Sequence, residues 1–232
     1  QRQMCIRDRV SIGAFAQVDT LSPITPPLRR SPFVRDMERI TSSRAYRITY
    51  IGVPLIVAGL VVQERDRGFR HLRNDYVPSF RLHYDDYLQY APAALMLGLK
   101  IGGVRGRSSW GRMLVSDAFS VALMAGAVNS LKYTCRMPRP DGSNNKSFPS
   151  GHTATAFMAA TMLHKEYGGR SPWYSIAGYS MATVTGVSRM LNNKHWLSDV
   201  LVGAGIGILS VELGYLFADL IFKERGLTEF EQ

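Results

Sequence analysis

Three short stretches of this chain hold residue types that together can move a phosphoryl group: KYTCRMPRP (132–140), FPSGHTATAF (148–157) and SRMLNNKHWLSD (188–199). In the first, Lys132 and Arg139 stand seven apart, with Pro140 behind them. Arginine presents a planar fork that matches two phosphate oxygens and lysine adds a compact point charge, so the pair can neutralise a dianion. In the second, Ser150, Gly151 and His152 sit where an apolar segment begins. A helix starting there offers free backbone N–H groups and the positive end of a dipole. Ser150 suits a helix cap or a donor to an oxyanion, Gly151 admits close backbone approach, and His152 titrates where a general acid should. In the third, Ser188 and Arg189 close one apolar segment, while His195 and Asp199 stand four apart at the start of the next. On a helix that spacing shares a face, so Asp199 can hold one ring nitrogen of His195 and leave the other free as a nucleophile.

Each block has a plainer reading when taken alone: a Lys–Arg pair snorkelling at a membrane edge, a serine cap beside a solvent-facing histidine, a surface His–Asp pair. Three such blocks in one chain favour a single phosphate site.

The elements that must position them are helical. From residue 48 the chain is a series of apolar runs, at 48–62, 87–104, 113–131, 152–163, 173–187 and 200–222, with short polar loops between. The runs lack strand-like alternation and are rich in Ala, Leu, Met and Gly, which predicts an all-α, six-helix bundle with the active site at one end. At 232 residues and 46% hydrophobic content, one domain is expected. A clean span takes about 20 apolar residues and most of these runs are shorter. Lys100, Asp117, Glu212 and Asp219 also lie within them. A soluble bundle would share these features, and the expected form is a multi-pass membrane bundle with its charges facing inward. Gly203 and Gly207 of GAGIG read as close helix packing, since no strand precedes them to make a dinucleotide site. Glu212 reads as a structural partner inside the bundle.

The ends of the chain carry less. QRQMCIRDRV (1–10) has no apolar periodicity and is expected to be non-native; Ala14-Phe15-Ala16, within 11–16, has the small-x-small form of a signal-peptide remnant. Residues 20–47 read as an irregular or surface-lying segment, 1–47 as outside the core, 48–222 as the domain and 223–232 as a tail. Arg105, Arg107, Arg112, Lys165 and Arg170 assign their loops to the cytoplasmic side and send 132–151 and 188–199 outward. A cleaved signal followed by six spans would assign the opposite side, so these two signals conflict.

The net charge of +10 favours an anionic partner. Nucleic acid is not favoured, because basic and aromatic residues do not interleave. Cys5 and Cys135 give no disulfide framework. His71, His83 and His164 lack metal-ligand spacing, so no metal or cofactor is expected. The arginine-rich segment 63–87 could meet lipid headgroups, but its acids dilute the charge and a solvated loop is the equal alternative.

Together the three blocks form KxxxxxxRP, PSGH and SRxxxxxHxxxD without a departure at any signature position, a pattern that resembles the type 2 phosphatidic acid phosphatase superfamily. That superfamily includes lipid phosphatases, class A acid phosphatases and vanadium haloperoxidases. The resemblance spans 132–199 by motif and about 48–222 by helix pattern. It implies a metal-independent phosphatase with catalytic His195, His152 and Asp199. His195 would attack phosphorus, Asp199 would orient it, and His152 would protonate the leaving oxygen and then activate water. Lys132, Arg139, Ser150, Gly151, Ser188 and Arg189 would hold the phosphate. The implied substrate is a phosphomonoester or diphosphate of a lipid (phosphatidic acid, phosphatidylglycerophosphate, undecaprenyl diphosphate or the lipid A type). The implied location is a bacterial inner membrane, with the site facing the periplasm. A soluble periplasmic acid phosphatase is the alternative; a vanadate-dependent haloperoxidase is disfavoured, since those chains are generally much larger.

Overall fold

A computed structural model describes residues 31–223 and 227. The expected non-native leader at 1–10, the signal remnant at 11–16, Cys5 and most of the 223–232 tail lie outside those residues. The described residues are helical, with no strand among them beyond one isolated bridge between Ser108 and Leu227.

Two units are distinguished, one ending at Ile40 and one beginning at Thr41. Helix α1 (Pro32–Ser42) crosses that boundary and exposes Phe33, Val34, Met37 and Ile40. Helix α2 (Arg44–Thr49) follows at once, because Ser43 caps it by accepting the Tyr46 N–H at 3.2 Å. The segment 20–47, expected to be irregular or surface-lying, is helical over much of its described part, and those helices bury no residue.

The second unit continues with α3 (Gly52–Val62), a 3-10 turn (Gln63–Arg65), α4 (Asp66–Tyr76), α5 (Asp85–Leu88), α6 (Ala91–Ile101), α7 (Trp110–Cys135), α8 (Gly151–Tyr167), α9 (Pro172–Leu191) and α10 (Leu197–Phe222). Six of these, α3, α6, α7, α8, α9 and α10, occupy the six apolar runs. The 63–87 segment is the departure, since α4 occupies much of the expected loop. Its turned-in positions are Asp66, which is buried, and the half-buried Phe69 and Arg73. A docking face with one aromatic between two charged residues leaves no apolar stripe to read in sequence.

Helix α10 packs on α3, α7 and α8. The approach to α8 needs glycine: a Cβ at Gly203 would stand 2.6 Å from the Ser150 carbonyl oxygen, and one at Gly207 would stand 2.4 Å from that of Ala154. Between the helices, Met113, Met124, Met158, Met162, Ile206 and Val211 form one buried cluster. At 26 residues each, α7 and α10 are long and apolar enough to cross a membrane, about 39 Å at 1.5 Å per residue. Large apolar side chains also face outward, among them Val57, Leu60 and Val61 on α3, Leu114 on α7, and Leu220 and Ile221 on α10.

The consequence for function is which ends meet. The C-terminal ends of α7 and α9 and the N-terminal ends of α8 and α10 lie together. The Ser150 N–H donates to the Asp199 carbonyl at 3.0 Å, and Gly151 lies against Lys132, whose Cε is 3.9 Å from the position of an added Cβ.

Candidate active site

Lys132 is in the last turn of α7, and its ammonium donates to the Lys146 carbonyl at 3.0 Å. The loop that follows doubles back, with Arg139 N–H bonded to the Asn144 carbonyl and Ser147 N–H to that of Met137. It is tied to the loop after α9 by Asp141, 2.7 Å from the Lys194 ammonium, and by the Trp196 indole, which donates to the Pro138 carbonyl at 3.0 Å. The lysine pulls the Asp141 carboxyl down to about 2, against the opposing effect of burial.

Ser150 is the N-cap of α8 and is fully buried. Its Oγ accepts from the Thr153 N–H at 3.4 Å and the Thr153 hydroxyl at 2.9 Å. A hydroxyl that accepts twice still has its own proton to donate, so capping and oxyanion binding are compatible here. At Gly151 an added Cβ would make only ordinary contacts. Packing therefore does not require the glycine, and a ligand approaching the helix end gives it a reason.

His195 and Asp199 come together by a route other than the expected helical face. His195 precedes α10, whose N-cap is Trp196, and Asp199 is the third residue of the helix. The Asp199 carboxylate folds back to cap the helix, with Oδ2 accepting the Trp196 N–H at 2.9 Å and the buried Ser147 hydroxyl. That places Oδ2 3.4 Å from His195 Nδ1, and neither Nδ1 nor Asp199 Oδ1 has a hydrogen-bond partner among the described residues. Unliganded sites often hold such pairs slightly open. Burial lowers the His195 pKa to about 4, with Asp199 opposing and Lys132 and Arg189 adding to the fall. The imidazole is neutral at pH 7, the state a nucleophile needs.

Arg189 joins the halves of the site. Its charge lowers the pKa of both His195 and His152, after burial, and it also presses on Arg139, so both imidazoles and a second guanidinium lie within its electrostatic reach. The Nε groups of Arg139 and Arg189 are buried without a hydrogen-bond partner among the described residues. A buried donor left unbonded costs about 1–3 kcal/mol, more when charged. Two of them in one place are suited to the oxygens of an entering anion.

Sequence reasoning missed the acidic wall of this site. Asp85, fully buried on α5, accepts from Arg189 Nη1 at 2.7 Å and from the Asn192 amide at 3.2 Å. Asp86 Oδ1 lies 2.8 Å from His152 Nε2 and 3.4 Å from Arg189 Nη1. The Ser188 hydroxyl is bonded to that of Tyr84 rather than standing free. The sequence signal was two adjacent aspartates in an arginine-rich stretch, which gave no direction. Among the described residues no group of three or more His, Cys, Asp or Glu side chains is placed to hold a metal ion.

Residues 114–222 match the family model described as PAP2 superfamily. The chain is 52% identical, over 173 residues and 74% of its length, to a curated protein from Porphyromonas gingivalis named lipid A 1-phosphatase. The matched stretch is 39% of that relative, so the chain spans well under half of the curated protein's length. Among solved structures, it is similar to LpxE of Aquifex aeolicus, with 24% identity, a TM-score of 0.48, and 62% of this chain and 92% of that one covered. It is also similar to a transmembrane PAP2-type phosphatidylglycerolphosphate phosphatase from Bacillus subtilis, with 19% identity, a TM-score of 0.45, and 78% and 100% covered.

Proposed function

The chain belongs to the PAP2 superfamily, and from that premise we propose that it is a phosphatase removing phosphate from an amphiphilic, lipid-type substrate through a phosphohistidine. The observation that carries this reading is the pair of buried, unpartnered guanidinium Nε groups on Arg139 and Arg189, beside a buried neutral His195.

In the first step the free lone pair of His195 forms a P–N bond as the P–O bond to the leaving group breaks, and His152 gives its proton to the departing alkoxide. In the second, water attacks phosphorus and passes a proton to His152, and the P–N bond breaks to release orthophosphate. Lys132, Arg139, Arg189, the Ser150 hydroxyl and the Gly151 N–H hold the equatorial oxygens, where charge spreads in the transition state. Asp199 keeps the His195 ring oriented. Ser188, bonded to the Tyr84 hydroxyl, lies beside Arg189 at the end of α9, and where Tyr84 donates, the Ser188 hydroxyl keeps its own proton for a phosphate oxygen.

The relative's name points to the phosphate of a lipid A type molecule as the favoured substrate. Helices α7 and α10 serve as membrane spans. Arg105, Arg107, Arg112, Lys165 and Arg170 lie toward the helix ends remote from His152 and His195, so the positive-inside rule faces the site to the periplasm.

The test is phosphate release by the purified full chain in detergent. Wild type should hydrolyse a lipid phosphate and be inhibited by vanadate, and His195→Ala should lose at least about 10³-fold in kcat. Release that is unchanged in His195→Ala would remove the reading.

A further inference from the structure

The geometry points to a second anion subsite beside the phosphate site, in a cavity of about 340 Å³ that Arg189 shares with Arg73, Arg81, His83, Asn192 and Lys194. It would take a second phosphate-like group carried on the leaving portion of the substrate, and it rests on the phosphatase reading above.

The charges in this cavity do not cancel. Arg189 is matched by Asp85, and Lys194 by Asp141, which also lines the cavity. Arg73 is different, because its partners are neutral oxygens. Its Nε donates to the Leu191 carbonyl at 2.8 Å, Nη2 to that of Phe80 at 3.4 Å, and Nη1 to the Asn74 side-chain oxygen at 3.0 Å. Arg81 makes no hydrogen bond or ion pair among the described residues. Asp86 also lies 3.4 Å from Arg189, so three carboxylates face four cations, and the cavity keeps a positive excess at Arg73 and Arg81, neither of which has a carboxylate partner among the described residues; that excess suits an anionic group.

The cavity is also built rather than incidental. The Arg73 bonds hold a guanidinium in place before any ligand arrives. Asn192, bonded through Nδ2 to the Leu82 carbonyl at 2.6 Å and through Oδ1 to the Leu82 N–H at 3.1 Å, fixes the strand of chain that carries Arg81 and His83. Arg189 borders both places, so a substrate with its scissile phosphate on Arg189 has its next polar group at this opening. A volume near 340 Å³ suits a polar headgroup and is at the small end for ligand sites. The positive excess selects against headgroups that bring no second anion.

The test compares Arg81→Ala and Arg81→Lys with wild type on two lipids that differ only in a second, remote phosphate. Wild type should show a lower KM for the bisphosphorylated lipid. Arg81→Ala should raise that KM about tenfold, leaving kcat and the monophosphorylated lipid within about twofold, and Arg81→Lys should recover much of the loss. Equal effects on both lipids would make Arg81 a structural residue and overturn the subsite. Inhibition by free orthophosphate that Arg81→Ala relieves, with the two lipids indistinguishable, would give the cavity to free phosphate and also overturn it. If neither lipid is hydrolysed, the phosphatase reading fails by itself, and His195→Ala protein still reads the subsite: it should bind vesicles carrying the bisphosphorylated lipid about tenfold tighter than those carrying the monophosphorylated one, and lose that preference with Arg81→Ala.

Discussion

The two ends of the helix bundle carry similar charges and use them in opposite ways. At the end remote from His152 and His195, each of these cations has a carboxylate partner: Arg112, almost fully buried, pairs with Asp219, which Arg107 and Arg44 share at 3.5 Å, and Lys165 lies 2.7 Å from Glu212. At the other end Lys132, Arg139 and Arg189 crowd together, pressing on one another's charge, and two of the guanidinium groups keep an unbonded Nε. The remote end even holds the larger cavity, about 820 Å³. Cavity size therefore does not locate the chemistry here; buried guanidinium donors without a partner among the described residues do.

A matched pair of substitutions tests this difference most strongly. Arg189→Lys keeps the charge and the pairing to buried Asp85 but removes the fork, and should lower kcat/KM by about 100-fold. Arg112→Lys makes the same chemical change at the other end and should leave kcat/KM per folded molecule within about twofold, the cost falling on stability instead. Steady-state phosphate release and thermal unfolding in detergent separate the two. Similar activity losses at both ends would break the comparison.

The sequence carried one end of the bundle much better than the other parts of the site. Lys132, Arg139, Ser150, His152, Arg189, His195 and Asp199 were legible because each is a reactive or phosphate-suited type at fixed spacing beside a helix end. The six apolar runs were legible because long helices bury hydrophobic side chains. Asp85 and Asp86 were not, since their partners Arg189 and His152 are more than sixty residues away and the one-turn helix α5 that carries them is too short to show a periodicity. Helix α4 was missed for a related reason: it docks through Asp66 on Ser198, Arg73 on the Leu191 carbonyl and Arg70 over the Trp196 ring at 5.8 Å. Polar docking of that kind looks like solvent exposure until the partner is seen. The His195–Asp199 pair was found by its spacing, but the cause is a carboxylate cap and not a shared helix face.

Asp86 sharpens the comparison from the acidic side, because it is a carboxylate that balances a histidine at the reaction end. Burial, and next the Arg189 charge, lower the His152 pKa, while Asp86 acts to raise it. A general acid must hold its proton, so whatever lowers its pKa reduces the active fraction at pH 7 and draws the basic limb of the rate profile toward lower pH. Asp86→Asn should therefore shift that limb acidward and reduce kcat about tenfold at pH 7, with no increase in KM. A pH profile superimposable on wild type would make the Asp86 contact incidental.

The smallest effect is expected at Asp66, and its sign distinguishes the two ends once more. At the remote end Asp219 is surrounded by arginines, whereas Asp66 is buried against the Ser198 N–H at 3.0 Å and the Ser198 hydroxyl, with no cation paired to it among the described residues. Burial raises its pKa, the Ser198 hydrogen bonds oppose that, and the like charge of Asp199 adds to the rise. The folded chain thus holds this proton more tightly than the unfolded chain. Its contribution to stability is present below the ordinary aspartate pKa of 3.8 and is lost as pH rises through the elevated folded value. Asp66→Asn keeps an acceptor for the Ser198 N–H and removes the ionisation, so it should change stability by no more than about 1 kcal/mol. The melting temperature of the variant should also vary less with pH above about 4 than that of wild type. An unaltered pH dependence would assign the effect to another group and leave the α4 contact as a plain helix cap.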